Sequence, residues 1–441
     1  MRISVISDDL TGANDCGGQL VRYGLDVSVV LQNHDSDFVK QQALIFNTDS
    51  RAVSEEEAYQ RVKMVSQWVK SGDFDVVYKK IDSTMRGNIG QEINAVFDVL
   101  QPDFVFIAPA FPEAGRQVID GFHFLNQKPL HETEVAHDPK TPVNDSLITR
   151  IIKNQSQREV GHLSYKDLHA GDEHVLKKLI AFKKQNTSYV TVDSVHESDL
   201  ECLVHIVNKT KYSVIWVGSS GLINYLPQVY GLQRNKTEIS LSKSEKPVLF
   251  VIGSVSRVGR NQLHQLLTKS NTVGLEIEPA KILLDSASKQ KEINRIIKEA
   301  QKALNNGKSV ALFSSKEVKK TQEIGREKGY NAIEISNYIS KMLGELAVYL
   351  INSEDIGNLF LTGGDTAQQV LEQLQVNKVQ LIDEVESGIP LVKLEHNREI
   401  FAVTKAGSFG TDLVMLKAKC KLQGKEYKKD FSDNYVSLIE K

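Results

Sequence analysis

The sequence predicts an α/β protein made of two domains, each built on a mainly parallel sheet. Three observations predict it. Short β-rich runs alternate with longer helical patterns along the chain, the order expected of strands joined by crossover helices. A polar, lysine-rich stretch, QVYGLQRNKTEISLSKSEK, interrupts that rhythm around residues 228–246, and a fresh strand–turn–helix unit starts at Pro247. The 441 residues also exceed what one hydrophobic core usually serves.

Taken in order, residues 3–7 read as a strand and 12–23 as the helix that follows. Residues 27–31, 44–47, 76–81 and 104–108 are apolar runs of strand length, with amphipathic helices expected at 55–70 and 89–100 between them. Residues 128–146 break the alternation: HETEVAHDPKTPVNDS is polar, carries Pro139 and Pro142, and predicts a long ordered loop. Strand signals return at 189–192 and 214–217. These runs place a first domain at 1–228, a linker at 229–246, a second domain at 247–420 and a charged tail at 421–441, in which 435–439 has the pattern of an extra strand. Trp68 and Trp216 lie in apolar-periodic runs and are expected in the cores.

Bulk composition excludes several functions. The formal charge of −2 lacks the basic excess of a protein that neutralises a nucleic-acid backbone or an anionic membrane, though a small anion needs only a few local cations. The three cysteines, Cys16, Cys202 and Cys420, are far apart and form no C-x-x-C pair, which argues against a disulfide framework or a structural zinc site. No apolar run reaches the roughly 18 residues of a membrane span, and the N-terminus lacks the pattern of a signal peptide. A cytoplasmic location is the expectation.

The second half repeats one grammar three times. PVLFVI-GSVS-RVGRNQLHQL, NLFLT-GGDT-AQQVLEQL and EIFAVT-KAGSFG-TDLVMLKA each run from a strand through a glycine-bearing turn into a helix. In an open parallel sheet such turns share one edge, where ligands bind. The free N–H groups and dipole at each helix start attract phosphate. Ser254, Ser256, Thr366 and Ser408 add hydroxyls, and Lys405 adds a positive charge. One such turn is more often a simple helix cap, and three together favour a phosphate-bearing ligand. Gly307-Lys308-Ser309 imitates the tail of a P-loop but precedes a strand instead of following one. No strand-linked G-x-G-x-x-G appears, which weakens a nicotinamide dehydrogenase reading.

The first half concentrates charge after its strands. Asp8 and Asp9 directly follow the first, in SDDLTGAND; capping of the next helix explains one of them but not both. Arg51 follows another strand, in NTDSR. Lys79, Lys80, Ile81, Asp82, Ser83, Thr84 and Arg86 crowd into YKKIDSTMRGN, where a turn of donors and cations suits a carboxylate. The eleven histidines show no metal-ligand spacing; His123, His131 and His137 are expected to be solvated or structural. No G-x-S-x-G elbow supports a serine hydrolase.

Together these stretches resemble the four-carbon acid sugar kinase family. The matching runs are SDDLTGANDCG, KKIDSTMRGN, APAFPEAGR, DPKTPVNDS, GSVSRVGRNQ, LTGGDTA and TKAGSFG, in the family's order and over roughly residues 3–418. The resemblance implies an N-terminal sugar-acid domain, a C-terminal nucleotide domain and an active site in the cleft between them. It implies transfer of the γ-phosphoryl group of ATP, with Mg²⁺, to the terminal hydroxyl of a four-carbon sugar acid. By position, substrate contacts fall on Asp8 or Asp9, Arg51 and the turn Lys80, Ile81, Asp82, Ser83, Thr84 with Arg86. ATP contacts fall on Ser254 or Ser256, on Gly363, Gly364, Asp365 and Thr366, and on Lys405 and Gly407. Val255 stands where the family carries a smaller or sulfur-bearing residue, so the choice between the two serines stays open. In this reading Arg51 and Lys80 grip the substrate carboxylate, and Asp8 or Asp9 takes the hydroxyl's proton; no metal-ligand set is legible. The DDLTGANDCG wording is most like the D-threonate branch, whose sister branches act on D-erythronate or 3-oxo-tetronates. Sugar acid and ATP are the expected partners, with no nucleic acid and no membrane; the oligomeric state is not fixed, and a homodimer is allowed. A non-catalytic sensor of a sugar acid and a nucleotide is the rival from another class.

Overall fold

The computed structural model describes all residues except 32–40, 139, 235–240, 254–255, 315–317, 355, 387, 406, 408 and 428–441. The chain divides into two compact units, Met1–Lys236 with Lys378–Leu381, and Thr237–Asn377 with Ile382–Lys441.

In the first unit the strands are β1 (Ile3–Ser7), β2 (Val27–Val30), β3 (Ala43–Asn47), β4 (Val76–Lys80) and β5 (Phe104–Ala108). A hairpin of β6 (Arg116–Ile119) and β7 (Phe122–Leu125) with the short β8 (Lys128–Pro129) follows, then β9 (Val160–Leu163), β10 (Tyr189–Val192) and β11 (Val214–Gly218). The main sheet runs β2-β3-β1-β4-β11-β5-β10-β9, with every pairing parallel. Its free edge is closed by an antiparallel pairing of Lys378–Gln380 on Val30–Ser28. Such strands are covered on both faces, which is why β1 and β5 are apolar nearly throughout and wholly buried. Each large side chain so buried contributes roughly 1.5–3 kcal/mol.

The order places a topological switch at β1. The chain leaves β1 for β2 and β3 on one side, then returns to lay β4 on the other. The carboxyl ends of β3, β1 and β4 are therefore neighbours, and a crevice opens there.

The second unit holds β12 (Val248–Ile252), β13 (Thr272–Ile277), β14 (Ser309–Ser314), β15 (Asn358–Thr362), the part of β16 (Lys378–Glu386) from Ile382 onward, β17 (Ile389–Leu394) and β18 (Phe401–Lys405). The order β13-β14-β12-β15-β18 is parallel throughout, and β17 adds antiparallel to β18. The three strands that lead into the glycine turns, β12, β15 and β18, are adjacent.

The expected strands and helices of the first half are present, with ends shifted by a residue or two, as for the helices Leu10–Val21 and Glu55–Ser71. Residues 128–146 differ from a plain loop: they begin with β8 and continue through two 3₁₀ turns, Leu130–Glu132 and Glu134–His137. His123 is wholly buried, which removes the solvated reading for it, whereas His131 and His137 are exposed. Trp216 is buried, and Trp68 packs half-buried against the core. The strand expected at 435–439 lies outside the described residues.

Candidate active site

Asp8 and Asp9 leave β1 at the switch point. Asp9 caps the helix Leu10–Val21, its Oδ1 accepting from Gly12 N at 2.7 Å. Asp8 does no capping. Both its oxygens take the fork of Arg51, Nε to Oδ2 at 2.7 Å and Nη2 to Oδ1 at 3.1 Å. The third arm of that guanidinium reaches Asp9 Oδ2 at 2.7 Å and approaches Asp82 Oδ1 at 3.7 Å. One arginine from the β3 loop thus ties together acids from the ends of β1 and β4.

The β4 turn is organised around Asp82. Its Oδ2 accepts from Thr84 N and Oγ1 and from Arg86 N, and Arg86 adds a bidentate pair at 2.9 and 3.0 Å. Arg86 also reaches Asp138 at 3.2 Å. Ile81 is buried, its N–H bound to Gly218 O, and Ser83 offers its carbonyl to His123 Nε2 at 2.7 Å. Lys80 Nζ donates to Ile81 O at 2.9 Å. Beneath them Lys79, fully buried, meets Glu92 at 2.8 Å, and Glu92 takes the hydroxyl of Ser50 at 2.7 Å. Lys79 also donates to Ile6 O and Lys80 O, so this buried pair joins the loops after β1, β3 and β4.

The electrostatics separate the two adjacent aspartates. Burial alone would raise both. At Asp8 the opposing charges of Arg51, Lys79 and Lys80 prevail and its carboxyl is held below the usual carboxylate range. At Asp9 burial, with the negative charge of Asp8 beside it, outweighs Arg51 and its carboxyl is pushed up. Asp9 is also the accessible member, 24% of its side chain exposed against 2% for Asp8. Neighbouring carboxyls pushed in opposite directions mark a site able to hold one charge fixed while the other exchanges a proton. Arg51, surrounded by acids, is held protonated far above any physiological pH.

This arrangement bears on the grip expected of Arg51 and Lys80. Arg51 already spends its fork on Asp8 and its remaining arm on Asp9, and Lys80 is 4% exposed with its ammonium on a backbone carbonyl. The visible work of Arg51 is to order the acids. Arg51 also borders a pocket of about 390 Å³ shared with Asn88, Lys140, Thr141 and Asn144; Asp8, Asp9 and Asp82 do not line it, so it is separate from the carboxyl pair.

In the second unit the three turns touch one another. Ser256 caps the helix Arg257–Lys269 through Gly259 N and donates to Gly407 O at 3.1 Å. Lys405 Nζ donates to Gly407 O at 2.9 Å and to Thr362 Oγ1 at 3.3 Å, and burial lowers its pKa to about 8. Gly253 packs so tightly on the β15 turn that a Cβ there would lie 1.8 Å from Thr366 Oγ1. Gly363, at φ 98°, precedes the helix Gly364–Gln373 and leaves its first N–H groups without a side-chain cap. Gly364 and Asp365 are exposed at that helix start, while Thr366 is buried and donates to Ser340. Ser254, the other serine of the first turn, and Ser408 lie outside the described residues.

Uncapped N–H groups at an exposed glycine start, beside a lysine, fit the phosphates of a nucleotide. No group of three His, Cys, Asp or Glu able to hold a metal occurs among the described residues. Magnesium bound with a nucleotide is held largely by phosphate and water and asks for only one or two carboxylates, and Asp365 stands at the start of the helix that would face them. Likewise, no described helix is long and apolar enough to cross a membrane.

Comparison with known proteins agrees with this division. Residues 3–226 match the model of a sugar-binding N-terminal domain, and residues 249–415 that of a nucleotide-binding C-terminal domain. The chain is 32% identical to D-threonate kinase of Salmonella typhimurium strain LT2, over 95% of this chain and 97% of that one. This chain belongs to the four-carbon acid sugar kinase family, and it is a kinase. A second relative, D-erythronate kinase of Heliobacterium modesticaldum, is 31% identical over 87% of this chain and 88% of its own length. The fold is also that of a crystal structure from Salmonella typhimurium LT2, with a TM-score of 0.80 at 22% identity, covering 95% of this chain and 98% of that one.

Two features of the first unit lay beyond sequence reasoning. The pairing of Lys79 with Glu92 joins residues from a strand and a helix with no local pattern to signal it. Asp138, the second partner of Arg86, sat in the DPKT run, whose acid-plus-turn wording was the available hint.

Proposed function

We propose that this kinase transfers the γ-phosphoryl group of ATP to the terminal (4-) hydroxyl of a four-carbon sugar acid, with D-threonate as its substrate. The carrying observation is the Asp8–Asp9 pair, drawn together by Arg51 and pushed to opposite protonation behaviour at the switch point of the first unit. The higher identity to a D-threonate kinase supports the substrate, and the nearly equal identity to a D-erythronate kinase makes D-erythronate the second choice. D-threonate and D-erythronate differ at a single carbinol centre, which a few side chains can read.

In the mechanism, Arg51 holds Asp8 as a permanent anion and fixes Asp9 beside it. Asp9 orients the substrate's far hydroxyl and accepts its proton as the oxygen–phosphorus bond forms and the bond to the leaving ADP breaks. A raised carboxyl suits this step, because a base accepts a proton best when its pKa approaches the working pH. The Asp82 turn supplies donors to the remaining hydroxyls. In the second unit Ser256, Gly363, Gly364, Thr366, Lys405 and Gly407 hold the phosphates, and Asp365 stands ready for an accompanying Mg²⁺. Phosphoryl transfer depends on positioning and charge neutralisation more than on covalent help, which is what these residues offer.

The test is ADP release with Mg-ATP and a panel of D- and L-threonate, D- and L-erythronate and 3-oxo-tetronates. The expected result is turnover with D-threonate at the highest kcat/KM. Tight binding of acid and ATP without ADP release would instead make the protein a sensor.

A further inference from the structure

Most cations of the first unit's site have an acid of their own. Arg51 is held by Asp8 and Asp9, Arg86 by Asp82 and Asp138, and Lys79 by Glu92. Arg116, like Lys80 on the carbonyl of Ile81, has none. It opens β6 directly after the AFPEAG turn, and its backbone pairs twice with Phe111. Its guanidinium makes one hydrogen bond, from Nη1 to Ala114 O, while its Nε is buried with no acceptor. Among the described residues no carboxylate lies within ion-pair distance of it.

Arg116 nevertheless belongs to the site. The charges that act on it most are Asp82 and Arg86 of the β4 turn, Glu134 of the 3₁₀ turn Glu134–His137, and Asp15 of the helix that follows Asp9. The hairpin that carries it is also fastened to that turn. His123, on β7 and opposite Val118 of β6, is fully buried and bonds Ser83 O at 2.7 Å. Burial pushes the His123 pKa down to about 4, so the ring stays neutral and donates from Nε2 at neutral pH.

A buried donor without an acceptor is destabilising, and an incoming acceptor would relieve it. A half-buried planar fork of N–H donors, with no acid of its own, beside a turn suited to hydroxyls, is a receptor for a planar carboxylate. Burial also weakens the hold of Arg116 on its proton, which an incoming anion would reverse. We propose that Arg116 receives the carboxylate of the sugar acid, and so makes the site select an acid over the neutral four-carbon polyol. This rests on the proposed sugar-acid kinase activity and deepens it: Arg51 orders the catalytic acids, and Arg116 reads the substrate's charge.

The experiment measures kcat, the KM for D-threonate and the KM for ATP in the wild type, Arg116→Gln and Arg116→Lys, with the thermal midpoint of each. Wild-type turnover of a four-carbon acid establishes the underlying activity first, so its failure is seen separately. Loss of a charge-assisted fork is expected to raise the KM for the acid roughly 10- to 100-fold in Arg116→Gln. Arg116→Lys, which keeps charge but loses the fork, is expected to fall between. The KM for ATP and the thermal midpoint should stay near wild type. An unchanged KM for the acid in either variant would overturn the proposal. So would a loss confined to kcat, or a KM rise shared equally by ATP and acid, because either would give Arg116 a structural role.

Discussion

The two units build their proposed ligand sites in opposite ways. The first uses side-chain charge: within one crevice it gathers Asp8, Asp9 and Asp82 around Arg51, with the Lys79–Glu92 pair buried below. The second uses backbone: three touching turns and an uncapped helix start at Gly363, with Lys405 beside them. The difference follows from the ligands each is proposed to take. A sugar acid has several hydroxyls and must be both oriented and deprotonated, which needs directional and titratable groups. A polyphosphate carries its own charge and needs close, preorganised N–H groups, which glycine permits and side chains obstruct.

The comparison can be broken most forcefully at Asp9. Asp9→Asn keeps the size and the cap acceptor but removes the base, and kcat is expected to fall about 10²- to 10⁴-fold with the KM for ATP unchanged, measured by ADP release. In the wild type, kcat/KM should rise with pH through a limb above the ordinary carboxylate range, because Asp9 must be ionised to accept the proton and its pKa is raised.

A smaller effect is expected from crowding the backbone site. Gly253→Ala would place a methyl 1.8 Å from Thr366 Oγ1, and Thr366 is too buried to step aside. Overpacking of this kind costs about 1–3 kcal/mol. The KM for ATP should rise by roughly tenfold or more, while binding of the acid, followed by calorimetry, stays as in the wild type. Weakening of both ligands together would contradict the separation of roles.

The smallest effect is a pH dependence of the second unit alone. Burial sets the pKa of Lys405 near 8, so the ammonium is present at neutral pH and lost as pH rises through that value. Bound phosphate favours the protonated form, so ATP affinity is expected to fall several-fold between pH 7 and pH 9. Lys405→Arg, charged throughout, should flatten this change.

Much of this was legible in the sequence because the βα grammar puts chemistry at strand ends. SDDLTGAND, NTDSR and KKIDSTMRG each follow an apolar run, and their meeting needs only that β3, β1 and β4 be adjacent. The three glycine turns were legible for the same reason. What was not legible depends on three-dimensional pairing. Nothing local says that Arg51 would spend its fork on Asp8. The β6–β7 hairpin was hidden because RQVIDGFHFL is short and irregularly apolar, and with it went the burial of His123 and the isolation of Arg116. The return of Lys378–Leu381 to the first unit has no signal beyond a few alternating apolar residues.

The most direct test of the account is the proton-coupled ³¹P NMR spectrum of the product formed from D-threonate and Mg-ATP. The account holds the acid by its carboxylate and presents the far primary hydroxyl to Asp9, so the new phosphomonoester should be split by two methylene protons into a triplet. A doublet, from phosphate on a secondary hydroxyl, or an unsplit acyl phosphate would contradict it.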